Sequence, residues 1–479
     1  MNRSNSHLRR LPLASLILAL LASPVADADE AALPTALSTH AATGLALIDQ
    51  SEPSPNATVR FYTNCDDDGM GSLRQAVNAS ASGDSVRASE TLSCSTITLL
   101  TPLVFGQSDL DIRGLGADRT TITAAAGVDG GLIRHLGAGR LNLQFLTLTG
   151  GRKYRSDGQA QGGCVYGAGD VAINVSRITN CVAKGIGFEP AVGGGVFSAG
   201  LTSLRLSEVS GNVATSTGGQ YASGGGLYTT GGIDMDRSVV AANMASSSSN
   251  SWGGGFTSPG AVTIVNSAIV NNEARTSGAA HIHPSASSTS SIANTTVSGN
   301  SAMRVGGLTC IGSTTIASST ITANTSTDGS SGGRIIGGGL DFGGGNHTIT
   351  STIITGNLAG SGDIAGSINL SASSGATLAG GHNHISGSTI ALPSGTNTTP
   401  MQMLPLALNG ATRPTHALRA TDPDVDAGSA PAGQTYDQRG YPFLRTVGSQ
   451  TDIGAFELDH DMIFRDGFDA SIPTLPDPI

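Results

Sequence analysis

Residues 193–214 read GGGVFSAGLTSLRLSEVSGNVA, and residues 224–245 read GGGLYTTGGIDMDRSVVAANMA. In both stretches a glycine cluster is followed, about nineteen positions later, by an asparagine (Asn212 and Asn243). The pattern occurs seven times along the chain. Self-similarity at a period of roughly 20–50 residues is typical of a stacked repeat fold, so this pattern decides the fold class.

The seven repeats share residue types at fixed offsets. The glycine clusters are Gly162-Gly163-Cys164, Gly193-Gly194-Gly195, Gly224-Gly225-Gly226, Gly253-Gly254-Gly255, Gly278-Ala279-Ala280, Val305-Gly306-Gly307 and Gly337-Gly338-Gly339. The positions about nineteen residues after these clusters are Cys181, Asn212, Asn243, Asn272, Asn300, Asn324 and Asn357. A β-branched apolar residue precedes each of them by three positions, and alanine or serine follows by two. Inward positions spaced by two indicate strands, not helices.

The asparagine column indicates a ladder. A carboxamide both donates and accepts, so identical side chains on neighbouring rungs can bond along the stacking axis. Asparagine also tolerates the left-handed conformation that a sharp turn requires. We therefore predict an all-β fold, a single-stranded right-handed parallel β-helix with three short strands per rung about 4.8 Å apart. The leucine framework of leucine-rich repeats, another fold with an asparagine ladder, is missing.

The two ends of the β-helix are expected to carry caps. The segment Gly71–Val77 predicts a short amphipathic helix with Ser72 as its N-cap and Gln75 at the reciprocal position. Such a helix can cover the first rung, and a C-terminal cap can close the last. The predicted organisation is a signal peptide (1–28), a linker (29–57), an N-terminal cap with the first rungs (58–150), the β-helix repeats (151–390), a closing module (391–458) and a tail (459–479).

The N-terminus predicts export. Three arginines precede the apolar run Leu11–Leu21, and Ala26-Asp27-Ala28 offers a small-residue cleavage site, as in secretory signal peptides. The run is too short to cross a bilayer as a helix. The mature chain is therefore expected to be secreted or associated with the cell envelope, without a membrane span.

Charge and composition bear on the expected partners. The formal net charge is −10, and lysine occurs only at Lys153 and Lys184. Without a basic stripe, nucleic acid is not an expected partner. No cofactor and no metal are expected either. Polysaccharide or a cell-surface glycan is the partner class that fits an exported protein whose surface polarity comes mainly from Thr, Ser, Gly and Asn.

The five cysteines of an exported chain suggest two disulfides. Cys65 and Cys94 both lie in the N-terminal cap, and we predict that they pair. Cys181 stands at the first ladder position and Cys164 in a glycine position of the same rung, so they either bridge that rung or remain two buried thiols. Cys310 is expected to be buried and unreactive.

Both ends of the chain resemble a known group of proteins. Gly71-Ser72-Leu73-Arg74-Gln75-Ala76 resembles the Cys-Ser-Leu-Arg-Glu-Ala motif at the start of many secreted bacterial β-helix proteins, with glycine and glutamine in place of cysteine and glutamate. The C-terminal part resembles the closing module of that group, often called a choice-of-anchor domain. The matching residues are Thr415-His416-Ala417-Leu418, Asp426-Ala427-Gly428, Asp437-Gln438-Arg439-Gly440 and Asp452-Ile453-Gly454-Ala455-Phe456-Glu457. The resemblance implies a pectin-lyase-like fold but no defined reaction.

Candidate catalytic residues do not form a clear pattern. A lyase or hydrolase of polysaccharides needs carboxylates at matching offsets of neighbouring rungs. The carboxylates of the repeats do not share a column: Asp170, Glu208, Asp234, Asp236 and Glu273. His281-Ile282-His283 and His382-Asn383-His384 have the spacing of metal-ligand pairs without a third ligand, and exposed loop histidines are the favoured interpretation. His416 with Asp437 or Asp452 fits capping hydrogen bonds better than acid–base catalysis.

The loops before the glycine clusters carry the better functional signal, because insertions on one side of a solenoid usually form its working face. Four of the chain's few aromatic residues lie there: Tyr154, Phe188, Tyr221 and Trp252. Successive rungs would set the last three side by side as a platform for sugar rings. Alternatively, they shield the strand aromatics Tyr166, Phe197 and Tyr228, which is the favoured interpretation.

The sequence thus favours a non-catalytic, adhesin-like protein that binds a glycan or another surface. Two alternatives remain open. One is a polysaccharide lyase or glycoside hydrolase of the pectin-lyase-like fold, and the other is a structural spacer or biofilm matrix protein.

Overall fold

The computed structural model describes residues 57–284, 288–328, 330–331, 334–360, 368–429 and 433–459. The predicted signal peptide, almost all of the linker and almost all of the tail lie outside these ranges. The described residues belong to one compact unit, Ile48–Ile479. No helix among them is long and apolar enough to cross a membrane.

The fold is a right-handed parallel β-helix, as predicted. In the described residues, three long parallel sheets, A, B and C, contain 12, 11 and 10 strands. Two further parallel sheets, D and E, contain 8 and 4 strands. A rung of the middle region therefore runs through A, B, D, E and C before it returns to A. The prediction of three strands per rung holds for the first rungs, and the later rungs add a fourth or fifth strand.

The strands of the three main sheets follow each other along the axis. Sheet A comprises Val59–Tyr62, Ser85–Ala88, Leu110–Arg113, Arg140–Gln144, Asp170–Asn174, Thr202–Arg205, Ile233–Asp236, Val262–Val265, Ser290–Ala293, Thr314–Ala317, Gly345–Thr350 and Ala376–Gly381. Sheet B comprises Thr96–Leu99, Thr121–Ala124, Thr147–Thr149, Arg177–Thr179, Glu208–Ser210, Val239–Ala241, Ala268–Val270, Thr296–Ser298, Thr320–Thr322, Ile353–Thr355 and His384–Ile385. Sheet C comprises Leu103–Phe105, Ile133–His135, Val165–Gly167, Val196–Ser198, Leu227–Thr229, Phe256–Ser258, Ala280–Ile282, Leu308–Cys310, Leu340–Phe342 and Leu370–Ala372.

The strands of the added sheets are shorter. Sheet D comprises Arg152–Arg155, Val182–Gly185, Val213–Ser216, Met244–Ser247, Glu273–Ala274, Ser301–Ala302, Thr325–Ser326 and Leu358–Ala359. Sheet E comprises Ala160–Gln161, Ala191–Val192, Ala222–Ser223 and Ser251–Trp252. Two antiparallel pairs complete the strands, Ser330–Ser331 with Arg334–Ile335 and Leu406–Ala407 with Thr415–His416.

The asparagine ladder is continuous. The amide nitrogen and Nδ2 of Asn212 both donate to Oδ1 of Asn243, at 3.0 and 2.9 Å. The same pair of bonds joins each ladder residue to the next as far as Asn357. Asn357 then donates to Oδ1 of Asn369, which closes the ladder and which the repeat pattern did not predict.

One reason given for the asparagine column is wrong. The residue with positive φ at this corner is the one before each ladder position: Asn180, Gly211, Ala242, Asn271, Gly299, Ala323 and Gly356. No ladder asparagine has positive φ. The preceding residue thus adopts the turn conformation, and the asparagine is selected for its buried hydrogen bonds alone.

The N-terminal cap contains the helix Leu73–Asn78. Its N-cap Ser72 accepts a hydrogen bond from the amide of Gln75 through its hydroxyl. The Gln75 side chain accepts from Gly71 N, one residue earlier than the predicted reciprocal bond to Ser72. Leu73, Ala76 and Val77 are buried against the first rungs.

Two disulfides join the predicted cysteines. Cys65 and Cys94 are bonded with their Cα atoms 6.2 Å apart, and Cys164 and Cys181 with their Cα atoms 5.5 Å apart. The second bridge closes the rung in which Cys181 occupies the first ladder position. Cys310 is buried and not bridged, and burial raises its pKa to about 12, so this thiol is unreactive at neutral pH.

The closing module lies against the outer face of sheet B. Thr296 donates a hydrogen bond to Gln438, Ser298 bonds His416, and the amide of Ala455 donates to Thr320, all through strand hydroxyls. These outward-facing hydroxyl groups are therefore buried. We call residues 391–458 the closing module from here on.

Candidate functional site

Sheets D and E form a lobe that projects from the solenoid. In the rungs that contain both sheets, the chain leaves the solenoid along a strand of sheet D, turns, and returns to the solenoid along a strand of sheet E. The two sheets pack through a buried cluster of alanines: Ala160, Ala183, Ala191, Ala214, Ala222, Ala245 and Ala274. Because alanine has only a methyl side chain, it allows two sheets to approach closely. The alanine column of the repeat is the sequence signal of this lobe.

The glycine clusters turn the chain from sheet E into sheet C. In the four clusters that follow a strand of sheet E, the first glycine has positive φ: +68° at Gly162, +62° at Gly193, +64° at Gly224 and +60° at Gly253. A Cβ atom on Gly194 would lie 2.1 Å from the carbonyl oxygen of Gly225 in the next rung. Both features require glycine. The result is a sharp reversal that brings the outer faces of sheets E and C together.

We call the place where these faces meet the E–C corner. Its sheet E side is the outward column Gln161, Val192, Ser223 and Trp252. Its sheet C side is the outward column Arg134, Tyr166, Phe197, Tyr228, Thr257 and His281. The hydroxyl of Ser223 donates to that of Thr257 at 2.9 Å, which joins the two sides at the base of the corner.

The strand aromatics of the corner form a stack along the axis. The ring centroids of Tyr166 and Phe197 lie 5.4 Å apart, those of Phe197 and Tyr228 lie 5.9 Å apart, and both pairs are nearly parallel. The guanidinium of Arg134 covers the outer face of Tyr166, 4.4 Å from the ring centroid. Phe197 is only 7% exposed. The faces of these rings are therefore covered by other side chains of the protein, and mainly the ring edges are turned towards the corner.

Two of the predicted loop aromatics line the rim of the same corner. The rings of Tyr221 and Trp252 are half-buried and tilted at 53°, with centroids 5.8 Å apart. Gln159 donates a hydrogen bond to the Tyr221 hydroxyl, and Gln161 donates to Gln159, so a line of amides runs beside the rings. These rings are not packed in the continuous stack and keep part of their surface towards solvent.

The other two predicted aromatics lie elsewhere on the lobe. Phe188 is at the tip of the lobe and is 78% exposed. Tyr154 is in register with Lys184 on sheet D, and the neighbouring residue Ala183 faces sheet E, so Tyr154 points away from the E–C corner. The structure therefore brings Tyr221 and Trp252 together and separates them from Tyr154.

A histidine closes the far end of the corner. The ring of His281 lies 6.4 Å from that of Trp252 and 5.0 Å from that of His283. Burial, with a smaller contribution from the neighbouring His283, lowers the pKa of His281 to about 4, so the ring is neutral at physiological pH. Its Nδ1 lies 3.3 Å from the hydroxyl of Ser277. A neutral, amphipathic ring here extends the aromatic lining.

The candidate carboxylates are dispersed. Glu208 lies on sheet B and Glu273 on sheet D, while Asp170 at the start of a sheet A strand accepts from the amide of Leu201. Asp234 and Asp236 share one strand of sheet A but are ion-paired with Arg205 and Arg237 respectively. None of these five acids belongs to either column of the E–C corner.

The remaining candidate histidines serve the closing module. His384 is buried and bonds both carboxylate oxygens of Asp424, at 2.8 and 2.9 Å, so the expectation of an exposed loop histidine is wrong there. The local sequence could not show this burial, because the closing module that covers His384 follows it in the chain. His416 bonds Ser298 and the carbonyl of Leu404, a capping role. The described residues contain no group of three potential ligands that could hold a metal ion.

Comparisons with known proteins give one structural similarity. No protein-family model and no curated protein matches the chain. Among solved structures, the crystal structure of pectate lyase Pel9A is similar with a TM-score of 0.41 and 13% sequence identity, over 84% of this chain and 97% of that chain. So distant a similarity carries no argument about activity.

Sequence reasoning missed part of the corner. Arg134 precedes the first glycine cluster, so the repeat alignment did not include it. Gln159 lies in the turn before a sheet E strand and Gln161 in that two-residue strand, Ala160–Gln161, which is too short to show a period. The sequence nonetheless held a signal for Arg134. It lies between Leu132 and His135 in a short strand-like segment, at the strand position that Tyr166 occupies in the next rung.

Proposed function

We propose that the protein is an exported, non-catalytic β-helix protein that binds a glycan chain along the E–C corner. The observation that carries the proposal is the pair Tyr221 and Trp252, two partly exposed rings in contact at the rim. Aromatic faces with adjacent amides suit sugars, because sugar rings present both C–H faces and hydroxyl groups.

The dimensions of the corner favour a polymer. The outward column of sheet C from Arg134 to His281 spans five rung intervals, which is about 24 Å at roughly 4.8 Å per interval. A chain of sugars laid parallel to the solenoid axis could contact several rungs at once. Repeated weak contacts along one polymer add up to useful affinity.

Export is part of the proposal. It is supported by the signal-peptide pattern of residues 1–28 and by two disulfides, which persist in oxidising compartments. The motifs at both ends support placing the chain with the secreted CSLREA and choice-of-anchor type of β-helix protein. Fractionation of the producing cells, with detection of a chain cleaved after residue 28, tests this part.

The binding proposal is tested by affinity electrophoresis of residues 29–479 against a panel of neutral and acidic polysaccharides. Trp252→Ala and Tyr221→Ala should each weaken retention about tenfold without a change in melting temperature, since each removes a partly exposed contact surface. Tyr154→Ala is the matched control, because this residue faces away from the corner, and it should leave retention unchanged. Equal retention of all four proteins would refute the site.

The same polymers distinguish binding from catalysis. Incubation with the wild-type protein, with and without calcium, is followed by detection of unsaturated products and of new reducing ends. We expect neither. Accumulation of products would overturn the non-catalytic part and support a polysaccharide lyase or hydrolase.

A further inference from the structure

Three basic side chains gather at the N-terminal end of the E–C corner. Arg134 begins the sheet C column and lies over Tyr166. Lys153 and Arg155 belong to the first strand of sheet D, Arg152–Arg155. The chain has 25 basic residues but only two lysines, so a lysine in this group is unusual for this protein.

Lys153 occupies a position that later rungs give to alanine. It is in register with Ala183, which is followed along sheet D by Ala214 and Ala245. These alanines face sheet E within the lobe. Because Lys153 is in the first strand of sheet D, its side chain faces sheet E at the open end of the lobe, near enough to Arg134 for their charges to interact. Lys184, one rung later, faces the opposite side, over the ring of Tyr154.

Two of these cations lack full compensation within the protein. Nη1 of Arg134 is buried and has no hydrogen-bond partner among the described residues. No carboxylate of the described residues is ion-paired with Arg134 or Lys153. Arg155, in contrast, pairs with Asp157 at 2.9 Å, and the nearby Asp129 accepts a hydrogen bond from the amide of Tyr154.

The three cations lie close enough to repel one another. Burial lowers the pKa of Lys153, and the charges of Arg134 and Arg155 lower it further, while Asp129 and Asp157 offset part of this effect. Burial also lowers the pKa of Arg134, with Arg155 acting in the same direction. An anion placed among them would relieve this repulsion and supply the acceptor that the Arg134 guanidinium lacks.

We propose that Arg134, Lys153 and Arg155 form a subsite for the anionic substituents of the bound glycan, so that the E–C corner selects acidic polymers over neutral ones. This inference rests on the proposed glycan-binding function and names the chemistry of its ligand. The ligand group is a carboxylate or a sulfate, both of which an arginine and a lysine can bind. The rings at the other end of the corner would contact the sugar faces.

The test uses polymer pairs that differ only in charge. Polygalacturonate is compared with its methyl ester, and dextran sulfate with dextran, by isothermal titration calorimetry of residues 29–479. The wild-type protein should bind at least one acidic polymer about tenfold more tightly than its neutral counterpart. Which acidic polymer it prefers distinguishes carboxylate from sulfate. Equal affinity within both pairs would overturn the inference.

Matched variants locate the subsite. Lys153→Ala introduces the residue of the later rungs and should lower the affinity for the preferred acidic polymer about tenfold, the effect of losing one charge-assisted contact. Lys184→Ala removes the same charge on the opposite face of sheet D and should have no such effect. Arg134→Met is compared with Arg113→Met, since Arg113 covers the ring of Phe145 outside the corner. Equal losses in Lys153→Ala and Lys184→Ala would overturn the subsite.

Failure of this inference differs from failure of the proposed function. If Trp252→Ala weakens binding while Lys153→Ala and Arg134→Met do not, the corner binds glycan and the acidic subsite is wrong. If Trp252→Ala and Tyr221→Ala leave the binding of every polymer unchanged, the glycan-binding corner itself is refuted, and the subsite with it.

Discussion

The lobe and the closing module both extend the β-helix beyond its three main sheets, but their interiors differ in chemistry. The interior of the lobe consists of seven buried alanines contributed by stacked strands. The closing module has a small apolar cluster that includes Leu418 and Phe456, but it also buries charged side chains, among them Arg413, Arg439 and Arg445. Arg445 is 1% exposed and bonds the carbonyls of Asp452 and Gly454 together with the carboxylate of Glu457.

The difference follows from how each region satisfies its backbone. In the lobe every strand pairs with the strand of the next rung, so the peptide groups are bonded by stacking and the side chains need only be small. The closing module has few strands among its described residues, Leu406–Ala407 and Thr415–His416. Its peptide groups must find side-chain partners, because buried N–H and C=O groups are costly when unpaired. Charged Arg and Asp side chains supply those partners.

The largest expected effect contrasts the ion pairs of the two regions. Arg445→Met removes one partner of the buried pair with Glu457 and should lower the free energy of unfolding by about 3–5 kcal/mol. Arg155→Met in the lobe removes a solvent-exposed pair with Asp157 and should cost no more than about 1 kcal/mol. Chemical denaturation of both variants measures the difference. Similar costs would show that the buried Arg445–Glu457 pair contributes no more to stability than an exposed pair.

The second prediction concerns the asparagine ladder of the β-helix, to which both the lobe and the closing module are attached. Asn272→Ala removes buried bonds to Val240 O and to Asn300 Oδ1, and it should destabilise the protein by about 1–3 kcal/mol. Asn271→Gly is the control, because this exposed neighbour has positive φ, which glycine adopts freely, and the change should stay within about 0.5 kcal/mol. The comparison is made by chemical denaturation. A costly Asn271→Gly beside a neutral Asn272→Ala would reverse the roles assigned to these two positions.

The smallest expected effect is a difference in pH dependence between two histidines. Burial lowers the pKa of His384, but its bond to Asp424 and the charge of that carboxylate outweigh burial, so the pKa is raised. Its contribution to stability is therefore complete below the unfolded pKa, about 6.5, and is lost as the pH rises through the folded value. At the E–C corner, burial lowers the pKa of His281 to about 4, so stability is lost there as the pH falls from about 6.5 towards 4.

Melting temperatures between pH 4 and pH 9 test this contrast. His384→Asn should reduce the loss of stability on the alkaline side, and His281→Asn should reduce the loss on the acid side. If both substitutions change the same side of the profile, the assignment of protonation states is incorrect.

The regular β-helix was predictable from the sequence, whereas the lobe that extends it was not. The ladder and the inward columns were predictable because neighbouring rungs have the same environment, so the same residue types recur at fixed offsets. The cap helix was predictable from a local signal, the N-cap Ser72 before a short amphipathic segment. The glycine and alanine columns were visible too, but their role in building a lobe was not. Strands of two residues such as Ala191–Val192 are too short to show a period.

The site was only partly predictable. The loop aromatics pointed to the side of the solenoid on which the E–C corner lies, and they included Tyr221 and Trp252. The sequence grouped Phe188 with them, because it could not distinguish the turn at the tip of the lobe, where Phe188 lies, from the sheet E strand that holds Trp252. It also gave no reason to group Arg134 with Lys153, since these residues belong to different sheets.

By itself, the sequence determined that this protein is a parallel β-helix with a polar ladder inside it, because repetition makes every local preference add up over successive rungs. Only the tertiary structure decided where the closing module lies and which charges the E–C corner contains. The contacts of the module join residues as far apart as Asn294 and Arg445, and no local pattern encodes such a pairing. Lys153 and Arg155 belong to the first strand of sheet D, which pairs with a neighbouring strand on one side only and therefore departs from the repeat.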